Sequence, residues 1–162
     1  MAHRMMRALL VFLVLWSITA QAETTEFKPF VRGSAKALIE ARAGQPFILA
    51  LWSVECVHCR AELAQLAALS KRYPKLDVVL VATDSLDARK EAEAILAQYP
   101  MARAERWMFA DDFVERLRHE IDPRWHGELP RTYLHGPGKA VAAITGALEP
   151  QRVTQWLESV TP

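Results

Sequence analysis

The amino-acid sequence predicts an α/β sandwich, and two observations support that fold class. Continuous apolar segments, typical of buried strands, alternate along the chain with segments whose apolar residues recur at helical spacing. The alternation stops near the C-terminus, where two strand-like segments follow each other across the turn sequence HGPG at residues 135–138. From the first strand onward, the predicted order is β-α-β-α-β-α-β-β-α.

The first predicted strand is the apolar run PFILALWSV, residues 46–54, whose composition is typical of a strand buried on both faces. Before it come a polar lead-in, EFKPFVRG, and a short helix at residues 34–45. After it the apolar spacing becomes helical over residues 56–73, and Pro74 ends this helix.

The remaining segments continue the alternation and then form a hairpin and a terminal helix. In chain order they are a strand at 75–84, a helix at 85–100, a strand at 105–111, a helix at 111–121, strands at Arg131–Leu134 and Ala140–Ile144, and a helix at 149–162. Pro100 ends the first of these helices, and Pro150 stands at the start of the last.

The first 22 residues have the pattern of a secretory signal peptide. Basic residues are followed by an apolar run and by the small-residue triplet Ala20-Gln21-Ala22, which predicts cleavage after Ala22. The run is about 13 to 15 residues long, whereas a membrane helix needs roughly 20; an uncleaved N-terminal anchor is the alternative. Residues 23–162 would then be one mature domain in the periplasm.

The balance of charge argues against nucleic acid as a partner. The chain has 20 Lys and Arg residues and 19 Asp and Glu residues, and residues 1–22 contribute Arg4 and Arg7 but no acidic residue. The mature chain is therefore nearly neutral, which gives no electrostatic basis for binding nucleic acid. Its length suits a single domain with its own core.

Only two cysteines are present, Cys56 and Cys59, in a C-x-x-C motif that contains His58. A structural staple is a poor interpretation, because so small a ring gives roughly 2 kcal/mol by the loop-entropy relation, against about 3 kcal/mol for a 15-residue loop. A zinc site lacks a second cysteine pair, and no two histidines have a familiar metal spacing. A redox pair fits best, because a disulfide persists after export and Cys56 falls where a strand gives way to a helix, whose N-terminus favours a thiolate.

The motif and its surroundings resemble a known family. FILALWSVECVHCRAELAQL, residues 47–66, followed by GELPRTYLHGPGKAVAAITGAL, residues 127–148, resembles a thioredoxin-fold protein. The signal peptide and the extra helix-strand region between these halves resemble the exported TlpA/ResA branch of that superfamily. The resemblance spans roughly residues 34–160 and implies a thioredoxin-like three-layer α/β/α sandwich with an inserted strand-helix region.

The resemblance also implies roles for individual residues. Cys56 would be the attacking nucleophile, and Cys59 would be the resolving thiol. Pro130 would be the family's cis proline, with Leu129 before it, and the backbone there would pair with an extended client segment. Trp125, shortly before Pro130, would either line the client groove or pack locally, and both interpretations stay open.

Two residues beside the cysteines act on the redox potential in opposite directions. Many family members have Trp directly before the first cysteine, where this chain has Glu55, and a carboxylate there disfavours the thiolate unless solvent screens it. His58 resembles the histidine between the cysteines of DsbA and protein disulfide isomerase; when charged, it would stabilise the Cys56 thiolate and make the disulfide more oxidising. We therefore hypothesise a potential above that of a strongly reducing thioredoxin.

A proton acceptor for the second cysteine is a further departure from the family. Thioredoxins often bury an aspartate on the strand before the motif, and the matching position here is Ala50. ResA-like relatives place a carboxylate after the following strand, where this chain has Asp84. Asp84 is therefore a candidate proton acceptor for Cys59, and an ordinary turn residue or helix cap is the other interpretation.

The sequence thus predicts an exported protein thiol–disulfide oxidoreductase whose partners are client proteins with thiols or disulfides. By the resemblance, the clients would carry haem-binding cysteines of cytochrome c or copper-site cysteines of oxidases, and a membrane thiol–disulfide protein would give or accept electrons. No cofactor and no resident metal are expected. The alternative is a copper-delivery protein that binds Cu(I) through Cys56, Cys59 and a histidine such as His126 or His135, although Sco-type proteins have a longer C-x-x-x-C spacing.

Overall fold

The structure of the protein is a computed structural model that describes residues 26–42, 44–138 and 141–160. The predicted signal peptide at residues 1–22 and its cleavage site lie outside the described residues. No helix in the described part of the chain combines the length and the apolar composition that crossing a membrane requires.

Within the described residues, six strands form one mixed sheet and five α-helices pack on its two faces. The strands are β1 (Lys28–Phe30), β2 (Phe47–Trp52), β3 (Val78–Ala82), β4 (Glu105–Phe109), β5 (Arg131–His135) and β6 (Val141–Thr145). The helices are α1 (Ser34–Ala41), α2 (Val57–Arg72), α3 (Arg89–Leu96), α4 (Val114–Ile121) and α5 (Pro150–Val160), and a 3₁₀ turn at Leu86–Ala88 precedes α3. The strand order is β1-β4-β3-β2-β5-β6, with the first four parallel and β5 and β6 each antiparallel to the strand before it in this order.

Two core clusters, one on each face of the sheet, give the fold its three layers. One face packs against α2, α3 and α5, which contribute buried side chains such as Leu66, Leu96 and Val153. The other face packs against α1 and α4, which contribute Leu38 and Leu117. The predicted α/β/α sandwich is therefore confirmed, and β3, α3, β4 and α4 lie between the helix of the cysteine motif and the hairpin.

The structure corrects three details of the predicted elements. The polar lead-in contains β1, which pairs with β4 at the edge of the sheet. The sequence did not predict this strand because Lys28 and Pro29 are not typical of one. An edge strand tolerates both residues because one of its sides is unpaired. The first helix ends at Ala41, before the predicted residue 45. The helix predicted at 85–100 begins as the 3₁₀ turn, and its α-helical part ends at Leu96.

The sheet topology brings the cysteine motif and the segment before the hairpin to one edge. Because β1, β2, β3 and β4 are parallel, the loops that follow them all emerge at their carboxyl-terminal edge. β5 runs in the opposite direction, so its first residue, Arg131, pairs with Leu51 near the end of β2. Pro130 therefore reaches the same edge as Cys56.

The opposite edge of the sheet is held by a network of ion pairs around Arg42. The Arg42 guanidinium donates hydrogen bonds to Asp77, with 2.7 Å between Nε and Oδ2, and to Glu105, with 2.8 Å between Nη2 and Oε1. Asp77 directly precedes β3 and Glu105 begins β4, so the network joins the end of α1 to two strands. The Arg42 side chain is buried, which protects these charged hydrogen bonds from solvent screening.

Candidate functional site

The two cysteines form a disulfide at the N-terminus of α2. Cys56 is the N-cap residue of this helix and is partly exposed, whereas Cys59, one turn later, is completely buried. A sulfur atom from another molecule can therefore approach Cys56 but not Cys59. This difference in accessibility is what an attacking thiol and a resolving thiol require.

The helix N-terminus stabilises negative charge on the sulfur of Cys56. The backbone N–H of Cys59 donates a hydrogen bond to Cys56 Sγ at 3.1 Å. The positive end of the α2 dipole lies at the same residue, because Cys56 caps the helix. Once the disulfide is reduced, both interactions favour the thiolate of Cys56 over the neutral thiol.

The loop that carries the motif is held from two sides. Asp84 accepts hydrogen bonds from Ser53 Oγ at 2.8 Å and from the N–H of Val54 at 3.0 Å, one on each carboxylate oxygen. Arg60, from the first turn of α2, donates a hydrogen bond to the carbonyl oxygen of Val54 at 2.8 Å. Asp84, the proton acceptor predicted from the sequence, thus binds the loop before Cys56 with both of its oxygens.

The Leu129–Pro130 peptide bond is cis, as the sequence predicted. Pro130 is buried, and its carbonyl oxygen accepts a hydrogen bond from the N–H of Gly146 at 2.9 Å. Leu129 is partly buried and packs against the same core cluster as Cys56. The cis proline and the disulfide therefore belong to one continuous region of the carboxyl-terminal edge.

Trp125 lies in the core, and this corrects the expectation that it lines a client groove. Its side chain is only 3% exposed and packs in the cluster beneath α1 and α4. Its indole Nε1 donates a hydrogen bond to the carbonyl oxygen of Glu128 at 2.9 Å, and the guanidinium carbon of Arg118 lies 5.9 Å from its ring centre. Trp125 thus supports the loop before Pro130 from inside, which is the packing role that the sequence left open.

The residues that flank Cys56 in the sequence are exposed. Glu55 lies in the loop, where its backbone N–H donates a hydrogen bond to Ser53 Oγ at 3.2 Å. His58 lies in the first turn of α2, and both side chains face solvent. Val57, between Cys56 and His58, is 80% exposed, so an apolar side chain stands beside the accessible sulfur.

A buried carboxyl group that was not among the predicted site residues lies on α2, shortly after the cysteines. Glu62, three residues after Cys59 on α2, is 3% exposed and accepts a hydrogen bond from the hydroxyl of Thr132. Its second oxygen, Oε2, has no hydrogen-bond partner among the residues that the structure describes. Burial raises the pKa of Glu62 to about 7, and the Thr132 hydroxyl lowers it by a smaller amount.

Geometry makes Glu62 a neighbour of Cys59. Residues three apart on a helix share one face, and helical side chains lean toward the N-terminus, so the Glu62 carboxyl group is directed toward the turn that holds Cys59. The sequence carried a signal for it, because Glu62 shares the buried face of α2 with Leu63, Leu66 and Leu69. A carboxylate among such residues is unusual and could have been singled out.

Comparison with known proteins bears on the fold. No protein-family model matches the sequence, and no curated protein shows significant similarity to it. Among solved structures, a secreted disulfide oxidoreductase from Mycobacterium tuberculosis, homologous to E. coli DsbE, has 14% identity and a TM-score of 0.56, covering 74% of this chain and 85% of that one. The thioredoxin domain of a thiol-disulfide oxidoreductase from Bacteroides vulgatus has 16% identity and a TM-score of 0.58, covering 76% and 84%. A thioredoxin-related protein from Neisseria meningitidis serogroup B has 23% identity and a TM-score of 0.54, covering 71% and 84%. The chain has the thioredoxin fold.

Within this thioredoxin fold, Glu62 contacts the sheet at Thr132, which pairs with Ala50. Thr132, its hydrogen-bond partner, pairs directly with Ala50 across β5 and β2. Ala50 is the position at which the family resemblance would place the buried aspartate of thioredoxins. Glu62 thus brings a buried carboxyl group from α2 to the residue of β5 that pairs with Ala50.

The thioredoxin fold separates the cysteines from the histidine with which they would bind copper. His135 ends β5 and pairs with Phe47 at the start of β2, so it lies about five residues, or ~17 Å, along the sheet from the edge that holds Cys56. Burial and the charge of Arg42 lower the pKa of His135 to about 4, and its ring stacks on Phe47. His126, the other histidine considered, is exposed, and the described residues contain no group of three or more His, Cys, Asp or Glu side chains that could hold a metal ion.

Proposed function

We propose that this protein is an exported thiol–disulfide oxidoreductase that exchanges its Cys56–Cys59 disulfide with the thiols of client proteins. One observation carries the proposal: an accessible sulfur at a helix N-terminus is joined to a buried sulfur one turn later. Nothing in a purely structural disulfide requires this asymmetry. The thioredoxin fold and the oxidoreductases among its structural neighbours support the same activity.

In the reducing direction, the Cys56 thiolate attacks one sulfur of a client disulfide. The client S–S bond breaks, a mixed disulfide with Cys56 forms, and the other client sulfur leaves as a thiolate. Cys59 then loses its proton and attacks Cys56 Sγ, which re-forms the Cys56–Cys59 bond and releases the second client thiolate. Two electrons pass from the protein to the client, and the oxidising direction is the reverse of these steps.

Glu62 accepts the proton that Cys59 loses in this scheme. Cys59 is buried and cannot give its proton directly to solvent. Glu62 lies one turn further along α2, and its pKa of about 7 allows it to take up and release a proton near neutral pH. Asp84 acts on the loop instead, because both of its oxygens are bound to Ser53 and Val54.

The clients and the compartment follow from the family resemblance. The sequence at residues 1–22 has the pattern of a signal peptide, and the similar Mycobacterium tuberculosis protein is a secreted one. The clients we propose are apoproteins whose haem- or copper-binding cysteines must be kept reduced after export. A membrane thiol–disulfide protein would return electrons to Cys56 and Cys59, because the compartment itself supplies little reductant.

Trapping of mixed disulfides tests the function. In a Cys59→Ser variant the resolving step is lost, so Cys56 should hold clients covalently, and these complexes should dissolve on reduction. The Cys56→Ser variant is the matched control and should trap almost nothing, since Cys59 is buried. Equal trapping by both variants, or an unreactive Cys56 in the reduced protein at neutral pH, would be incompatible with the proposal.

A further inference from the structure

Four exposed apolar side chains mark the edge of the sheet that carries the disulfide. In the described part of the chain, six large apolar side chains are exposed. Four of these six lie in the segments that follow the parallel strands, one after each strand, and we call them the carboxyl-edge row. Its members are Val57 after β2 (80% exposed), Leu86 after β3 (42%), Phe113 after β4 (60%) and Val31 after β1 (39%).

The strand order places these side chains in sequence along the edge. Since the order is β2-β3-β4-β1 from the centre outward, the row runs from Val57, beside Cys56, through Leu86 and Phe113 to Val31. Neighbouring strands lie about 4.8 Å apart, so the row extends for ~14 Å from the disulfide. Exposed apolar residues scattered singly are ordinary, but four of six along one edge, ending at a reactive sulfur, are not scattered.

The loops of the carboxyl-edge row are also acidic. Between the ends of the four parallel strands and the starts of the next α-helices, the chain has five acidic residues and one basic residue, Arg32. Three of the acidic side chains are exposed and stand next to members of the row: Glu55 near Val57, Asp87 beside Leu86, and Asp112 beside Phe113. Arg32, at the far end, lies 3.8 Å from Glu120, which offsets its charge. Arg116, in the first turn of α4, places its guanidinium carbon 4.8 Å from the centre of the Phe113 ring, so this part of the row also carries a cation.

We propose that the carboxyl-edge row binds an extended client segment in which apolar and basic residues flank the reacting cysteine. The proposal rests on the proposed function and names the class of client sequence that it favours. A length of ~14 Å corresponds to about four or five residues of extended chain, which is short enough to be held while a sulfur of the client meets Cys56. The apolar side chains of the segment would cover the row, and its Lys or Arg residues would lie against Glu55, Asp87 and Asp112.

Synthetic peptides test binding to the carboxyl-edge row separately from the thiol–disulfide reaction. Three nine-residue peptides are prepared, each with one central cysteine as a mixed disulfide with glutathione. The first alternates Leu and Lys around the cysteine, the second replaces Lys with Glu, and the third replaces Leu with Ser. The second-order rate constant for reduction by the reduced protein is measured for each peptide and for oxidised glutathione.

We expect the Leu–Lys peptide to react roughly tenfold faster than either of the others at low ionic strength, with a smaller advantage over the Glu peptide at high salt. Leu86→Ser and Phe113→Ser should each lower the ratio of the Leu–Lys rate to the oxidised-glutathione rate about fivefold, or ~1 kcal/mol. Ile39→Ser on α1 and Val141→Ser on β6 are the matched controls, because the exposures of these side chains (46% and 49%) fall between those of Leu86 and Phe113 and they lie away from the row. They should leave the ratio unchanged.

A second pair of variants changes the charge beside the row and keeps its apolar side chains. Asp87→Lys and Asp112→Lys, at exposed positions, should shift the preference from the Lys peptide toward the Glu peptide. Equal rates for the three peptides, or an equal loss in the control variants, would overturn the inference. If the reduced protein did not reduce oxidised glutathione and reduced glutathione did not reduce its disulfide, the thiol–disulfide function would itself be wrong, so the two failures are distinguishable.

Discussion

The hydroxyl group of Thr132 donates a hydrogen bond to the carboxyl group of Glu62, and this bond joins the helix of the cysteine motif to the strand that begins after the cis proline. Glu62 follows Cys59 by one helical turn, and Thr132 follows Pro130 by two residues. The buried carboxyl group is therefore connected both to the helix that carries Cys59 and to the strand that follows Pro130. Its pKa of about 7 means that its charge changes within the range in which the protein would work.

Replacing Glu62 with Gln should stabilise the oxidised protein in a pH-dependent way. Burial raises the pKa of Glu62 from 4.5 to about 7. The contribution of Glu62 to the free energy of unfolding is therefore fully present below pH 4.5 and is lost as the pH rises through 7. The free energy of unfolding of Glu62→Gln should match the parent near pH 4 and exceed it by on the order of 3 kcal/mol at pH 8. Denaturant unfolding at both pH values measures this difference. His135, whose lowered pKa acts in the opposite sense, cancels in the comparison; a difference that did not change with pH would contradict the assignment.

The same Glu62→Gln variant should slow the resolving step and spare the first attack. Gln cannot take the proton from Cys59, so release of a mixed disulfide from Cys56 should slow by roughly tenfold or more at neutral pH. The rate at which Cys56 is alkylated in the reduced protein should change little, because Cys56 is stabilised by the helix N-terminus. Rapid-mixing measurements of the two steps test whether Glu62→Gln slows the resolving step alone. A pH profile of the resolving step that moved in Asp84→Ala but not in Glu62→Gln would reverse the roles of the two acids.

Removing the Asp84 carboxylate should loosen the loop before the motif. Asp84→Ala leaves Ser53 Oγ and the N–H of Val54 without their partner, and we expect the free energy of unfolding to fall by about 2 kcal/mol. Asp87→Ala is the control, since Asp87 lies three residues later and is exposed, and it should change stability by less than about 0.5 kcal/mol. Thermal or denaturant unfolding of the pair gives the answer, and equal losses would show that the Asp84 hydrogen bonds contribute nothing particular.

Two glycines with positive φ differ in their surroundings. Gly127 has φ +106°, and a Cβ there would meet the guanidinium carbon of Arg118 at 3.2 Å. Gly33 has φ +85°, and none of the described residues comes within 4 Å of a Cβ placed there. Gly33→Ala should therefore cost only the strain of positive φ, about 1 kcal/mol, while Gly127→Ala should cost roughly 2 to 3 kcal/mol. Unfolding free energies of both variants measure the contrast. If the two costs were equal, the Arg118 side chain would be moving aside without loss.

The residues beside Cys56 should tune its potential in opposite directions. His58→Gln removes the cationic form of the side chain and should lower the potential, whereas Glu55→Gln removes a negative charge and should raise it. Each tenfold change in the equilibrium with glutathione corresponds to about 30 mV. Because both side chains are exposed, we expect changes smaller than tenfold. A rise in potential in the His58 variant would end the hypothesis of an oxidising centre.

Sequence periodicity was sufficient to predict the α/β sandwich because the central strands have an unambiguous apolar pattern. Every residue of β2 and β3 is buried, so both read as continuous apolar runs without the alternation of a half-exposed strand. The edge strand β1 could not be found in the same way, since three residues that include Lys28 and Pro29 carry no periodic pattern. Its existence depends on pairing with β4, which is about 80 residues away in the chain.

The cysteine pair could be predicted from local sequence, but its buried neighbours could not. Cys56, Cys59 and the cis bond before Pro130 follow from motif spacing and resemblance. The pairing of Glu62 with Thr132 joins residues 70 apart and depends on the register of β5 against β2, which local patterns do not specify. Trp125 was ambiguous for a similar reason, because burial of a loop residue depends on which helices cover it.

The Arg42 network and the disulfide occupy opposite ends of the same strands, separated by the length of β2. At ~3.3 Å per residue, that separation is close to 20 Å, well beyond the range over which substitutions usually influence one another. Changes that strengthen the ion pairs and changes that adjust the cysteine pair should therefore combine additively. We therefore expect that heat resistance can be raised at one end while the proposed redox chemistry is redesigned independently at the other.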